Sequence, residues 1–89
     1  MSVGYDRCNQ YSWVMSKAEE TKVYNRIGER IVKARKLQSM SQEKLAAESG
    51  IDRSHMGFIE QGRRRPTLST LYRITKTLGI RLEDLFKGL

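Results

Sequence analysis

The sequence predicts an all-α domain of five helices, and three observations predict it. Apolar residues recur at spacings of three and four positions through much of the chain, the period of a helix with one buried face. Hydrogen-bonding residues that cap helix starts stand just before those stretches: Ser16, Ser41, Asp52 and Thr67. Single glycines follow them where helices commonly end, at Gly50, Gly62 and Gly79.

Residues 1 to 15, MSVGYDRCNQYSWVM, fit neither period and mix polar groups with Tyr5, Tyr11 and Trp13. They are read as a flexible N-terminal arm, as chain ends often are. The competing reading docks Trp13 and Val14 on the domain or on a second subunit. Residues 16 to 89 form the domain. Ser16 and Glu19 have the spacing of a capping box, so the first helix begins at Lys17. Val23, Ile27, Ile31 and Ala34 carry its inner stripe to about Gln38, with Tyr24 and Leu37 beside it, and Gly28 interrupts it without breaking it. Lys22, Arg26, Arg30, Lys33 and Lys36 are read mostly as its solvated face, the later ones alternatively as phosphate contacts.

Ser41 caps a second helix with Leu45, Ala46 and Ser49 on one side. Gly50 ends it, and Asp52 caps the next only two residues later, so the pair reads as a helix-turn-helix unit. In the third helix, Arg53 to Gln61, Met56 and Ile59 point inward. Arg53, Ser54, Gly57 and Gln61 lie on the other side, with Phe58 at its margin. Such a face suits the DNA major groove, where arginine can bind guanine O6 and N7 together and serine serves several bases. Gly57 either lets the backbone approach DNA or is an exposed glycine that weakens the helix by about 1 kcal/mol. Arg63, Arg64 and Arg65, directly after this helix and before Pro66, suit DNA phosphates. Thr67 caps a fourth helix with Leu68, Leu71, Ile74, Thr75 and Leu78 inward, and a short fifth runs from Arg81 to Phe86.

Composition narrows the function. A chain of 89 residues holds one small domain, and a net charge of +7 favours a polyanionic partner, nucleic acid before membrane. The single cysteine, Cys8, allows no internal disulfide and forms no zinc cluster with His55, the only histidine. No apolar run is long enough to span a bilayer, and no signal-peptide pattern follows Arg7, so a cytoplasmic protein is expected. No nucleophile–base pair and no clustered carboxylates are present. An enzyme, a bound metal and a cofactor are therefore not expected.

Ser41, Gln42, Glu43, Leu45, Ala46, Gly50, Ile51, Asp52, Met56, Ile59, Glu60, Gly62 and Pro66 reproduce the spaced pattern of the lambda-repressor-like (Cro/Xre) helix-turn-helix family. The resemblance covers about residues 24 to 87. Within that family, IDRSHMGFIEQGRRRPTLSTL resembles the controller proteins of restriction–modification systems. The resemblance implies a homodimeric regulator of transcription that acts on its own operon at a palindromic double-stranded DNA site, with RNA polymerase as a further partner. It implies base contacts from Arg53 and Ser54, with Gly57 allowing close approach. It places Gln42, His55, Arg63, Arg64 and Arg65 on the DNA backbone, and pairs Arg35 with Glu60 to brace the third helix. Leu82, Leu85, Phe86 and Leu89 fall where such proteins join two subunits, the favoured reading; the alternative is that they simply close the core. His55 at the edge of the core remains an equal alternative. Phe58 departs from the polar residue usual at its position; it can meet a thymine methyl, the arm or another subunit. A general repressor or antitoxin of the same fold, and a protein-binding adaptor that touches no bases, are the rival readings.

Overall fold

The computed structural model describes residues 13–89; what was expected of residues 1–12, Cys8 included, lies outside the described residues. The helices are α1 (Lys17–Leu37), α2 (Gln42–Ser49), α3 (Arg53–Glu60), α4 (Leu68–Leu78) and α5 (Leu82–Phe86), with no strand among the described residues. Each start is satisfied locally. Ser16 Oγ accepts from the Glu19 N–H at 3.1 Å while Glu19 Oε1 accepts from the Ser16 N–H at 2.7 Å, which completes the capping box. The bond from the Ser16 backbone also holds the Glu19 carboxyl below its ordinary pKa. Ser41 and Thr67 cap through the N–H groups of Lys44 and Thr70, and Asp52 through those of Ser54 and His55. At α5 the Asp84 carboxylate accepts from the Arg81 N–H at 2.8 Å.

The turn from α2 to α3 depends on Gly50, which sits in the left-handed region at φ +68°. That conformation lets the Ile51 N–H reach back to the Ala46 carbonyl at 2.9 Å, so α2 closes and the chain turns at once into the Asp52 cap.

Ile27 and Ile31 of α1, Leu45 and Ala46 of α2, Met56 and Ile59 of α3, Ile74 of α4 and Leu85 of α5 meet in one buried core. Buried polar groups are satisfied: Ser49 Oγ donates to Thr77 Oγ1 at 3.1 Å, and the Thr75 hydroxyl to the Tyr72 carbonyl at 3.0 Å.

Three expectations are corrected by this packing. Leu85 is fully buried, so it closes the monomer core and is not available to a second subunit; Leu82 is also partly buried against that core. Phe86 and Leu89 remain 37% and 43% exposed. Leu68, expected inside, is 62% exposed, because at the first position of α4 its side chain has not yet turned over the core. Arg30 and Arg26, expected to be merely solvated, donate to the Leu85 and Gly88 carbonyls at 3.1 and 3.4 Å. They satisfy one acceptor in the last turn of α5 and one just beyond the helix. Leu89 also lines an open cleft of about 550 Å³ with Val23 and Trp13 to Met15.

α3 is seated on α1 almost backbone to backbone. A Cβ on Gly28 would lie 2.8 Å from the Ile59 carbonyl oxygen. Just beyond the helix, Gly62 adopts φ +74°, and a Cβ there would lie 2.9 Å from the Asn25 Cα. Both glycines, one read from sequence as an interruption and the other as a stop, are contact points between these two segments.

Candidate nucleic-acid interface

The outward side of α3 is built as the helical period requires. Met56 and Ile59 are buried, whereas Arg53, Ser54, His55 and Gln61 are exposed. Exposure of His55 removes the alternative that packed it at the core edge. The Arg53 guanidinium lies 3.4 Å from the Glu43 carboxylate at the start of α2. Both side chains are about two-thirds exposed, so the pair is screened by solvent and easily exchanged for another acceptor.

Glu60 closes the inner side of the same helix and is buried. Arg35 of α1 grips it with two parallel bonds, Nε to Oε2 at 2.8 Å and Nη2 to Oε1 at 3.0 Å, and uses Nη1 on the Met40 carbonyl at 3.0 Å. Gln42 Nε2 donates to Glu60 Oε1 at 2.9 Å, a bond sequence reasoning did not find. The residue expected at the phosphate backbone therefore also ties α2 to α3, with one amide N–H engaged.

That amide lies over Gly57. A Cβ on Gly57 would meet Gln42 Oε1 at 3.5 Å, an ordinary contact. Gly57→Ala is therefore expected to stabilise the fold by up to about 1 kcal/mol, read as a higher thermal midpoint. A lower midpoint would mean that the site has no room for a methyl group.

The arginine loop is organised, and its three members differ. Arg63 and Arg64 lie over the Phe58 ring, 5.7 and 5.0 Å from its centroid. Arg65 turns the other way, paired with Glu20 and 6.0 Å from the Tyr24 ring centroid. Their hydrogen bond lowers the Glu20 carboxyl pKa and raises that of Arg65. All three arginines are exposed. Among the described residues no group of acidic, histidine and cysteine side chains could hold a metal ion.

A capped two-helix unit, presenting a polar, arginine-bearing helix beside a basic loop, defines a DNA-binding helix-turn-helix regulator of transcription. The helix-turn-helix family model matches residues 31–85, and the chain belongs to that family, in its lambda-repressor-like branch. The crystal structure of the restriction–modification controller protein C.AhdI from Aeromonas hydrophila is similar over 71% of this chain and 96% of its own, with TM-score 0.69 and 35% identity. Control protein C.MunI from a Mycoplasma species is 38% identical over 65 residues, 72% of this chain and 88% of the relative. An HTH-type transcriptional regulator of Archaeoglobus fulgidus is 39% identical over 57 residues, 64% of this chain and 81% of the relative.

Proposed function

We propose that this regulator is a restriction–modification controller that binds a palindromic operator as a homodimer and acts on its own operon. The observation that carries the DNA-reading part is the exposed Arg53–Ser54 end of α3, held by a helix that is itself locked to α1. Arg53 leaves Glu43 for a guanine edge, and Ser54 reads beside it. Gly57 brings the backbone close, so Gly57→Ala lowers affinity while raising stability. Gln42 with its remaining N–H, His55 and the loop arginines Arg63, Arg64 and Arg65 hold phosphates.

Two-fold symmetry sets the half-sites about 10 bp apart. Phe86 and Leu89, the exposed remainder of the expected dimer surface, supply its apolar contact, with Leu82 at the edge. RNA polymerase is the partner when the bound dimer activates. The protein acts in the cytoplasm and catalyses no reaction; no described helix is long and apolar enough to cross a membrane.

The controller reading draws on the likeness to the C.AhdI and C.MunI proteins. The second reading is a general regulator of the same fold, the broader class to which the Archaeoglobus relative's name assigns that protein. Genes for a methyltransferase and an endonuclease beside this one support the controller, and their absence supports the second.

Binding measurements separate the residue roles. Arg53→Ala should relax base preference, losing roughly 1–3 kcal/mol of discrimination at one position. Arg64→Ala should weaken binding to every sequence alike and reduce the slope of log affinity against log salt by about one. A changed preference in the second variant with none in the first would reverse the assignment. Binding that ignores salt, or no DNA binding at all, would instead favour a protein-binding adaptor.

A further inference from the structure

An aromatic ring at position 58 is out of place on the chemistry of a polar reading face, and the structure gives it another task. Phe58 is half-buried at the margin of α3, and its carbonyl accepts the Arg63 N–H at 2.8 Å, which fixes where the loop leaves the helix. Its ring then lies under both the Arg63 and Arg64 guanidinium groups, at 5.7 and 5.0 Å. Arg63 is further restrained by a 3.3 Å bond from Nη1 to Gln61 Oε1. The face of the ring is the negative end of its quadrupole and attracts a cation within about 6 Å. A guanidinium is flat and weakly hydrated, so an aromatic surface holds it while its edge donors stay available.

We propose that Phe58 is a positioning residue for DNA binding. Its ring holds Arg63 and Arg64 ready for two backbone phosphates, and it takes no part in reading bases. This rests on the reading of the arginine loop as a phosphate clamp. Without the ring, two long side chains must be ordered from free rotamers at the moment of binding, and affinity falls for that reason. Arg65 is outside this device, since Glu20 and Tyr24 hold it separately.

The test compares Phe58→Leu, Phe58→Tyr and Phe58→Trp in the full chain, on duplexes enriched from a random pool and on an unselected duplex of equal length. Phe58→Leu should weaken both by the same factor, about fivefold to tenfold on the scale of two exposed cation–ring contacts. Tyrosine and tryptophan should restore affinity, because each supplies a ring face. Circular dichroism melting of each variant checks that the fold persists; should Phe58→Leu fail to fold, the tyrosine and tryptophan variants carry the test through their retained affinity. In an Arg63→Ala/Arg64→Ala background, Phe58→Leu should have no further effect. The proposal is overturned if Phe58→Leu changes the ratio between the two duplexes, if its cost persists in that background, or if the folded tyrosine and tryptophan variants bind as weakly as leucine. If the double arginine variant loses no affinity, the clamp reading itself falls. If it loses affinity and a folded Phe58→Leu does not, only the role of the ring falls.

Discussion

Replacing Gly28 by alanine is expected to lower the thermal midpoint by about 10–20 °C and to abolish tight DNA binding in the same step. Alanine is favoured over glycine in a helix by up to about 1 kcal/mol, so propensity alone predicts the opposite sign. Geometry decides against propensity. The added methyl carbon would stand 2.8 Å from both the Ile59 carbonyl oxygen and the Glu60 carbonyl carbon. Both are backbone atoms of a hydrogen-bonded helix, so neither can swing aside as a side-chain tip would. Relief requires α3 to move off α1, which loosens the Ile59 contact in the core and separates Arg35 from Glu60. Overpacking of this kind typically costs 1–3 kcal/mol, and about 2–3 kcal/mol in a domain this size gives the stated fall in midpoint. DNA binding is expected to suffer more than stability, because a shift of α3 misplaces Arg53 and Ser54, the proposed base contacts, even in molecules that stay folded. Melting by circular dichroism together with a binding titration below the midpoint checks both parts. A variant as stable as the parent, with unchanged affinity, would show that a methyl group fits between α1 and α3 without displacing either helix.

What the sequence could and could not disclose follows from how far each interaction reaches. Caps are local, so Ser16, Ser41, Asp52 and Thr67 were legible from spacing of two or three residues, and the helix boundaries agree to within a residue. The inward positions of α3 were legible because one helical period sets them. Gly28 was not, since its reason for being glycine lies in residues 59 and 60, brought to it only by the packing of α3 on α1. The roles of Arg26 and Arg30 were hidden for the same reason: their acceptors are carbonyls 62 and 55 residues away. Leu85 was misassigned because a five-residue helix is too short for periodicity to separate its core side from its exposed side. The pairing of Arg35 with Glu60 was implied by family resemblance alone, and the third member, Gln42, is brought to it only by the packing of α2 on α3. The arginine loop was legible as charge, but its division between Phe58 and Glu20 depends on which way each side chain turns.

The Arg35–Glu60 pair is where a single substitution should do the most damage to stability. Arg35→Ala leaves the Glu60 side chain, 4% exposed, with only the Gln42 amide as a side-chain donor. It also withdraws the donor to the Met40 carbonyl at the turn into α2. Stranding one partner of a buried ion pair typically costs about 3–5 kcal/mol, a large share of the stability of a small domain. The pair itself is not worth that much, because burying two charges carries its own penalty. The two statements are separable by experiment. Arg35→Met with Glu60→Leu removes both charges and keeps most of the volume, so it should recover most of what Arg35→Ala loses, as measured by denaturant unfolding. If the double variant is as unstable as the single one, the bidentate pair contributes a large net attraction and the stranded-charge account is wrong. Recovery of stability without recovery of DNA affinity would show that the charges aim α3. An apolar replacement can fill the space beneath the helix, but it cannot reproduce a fork of two bonds that fixes its rotation. The gain from the pair then lies in orientation, and the cost of losing it lies in the carboxylate left behind.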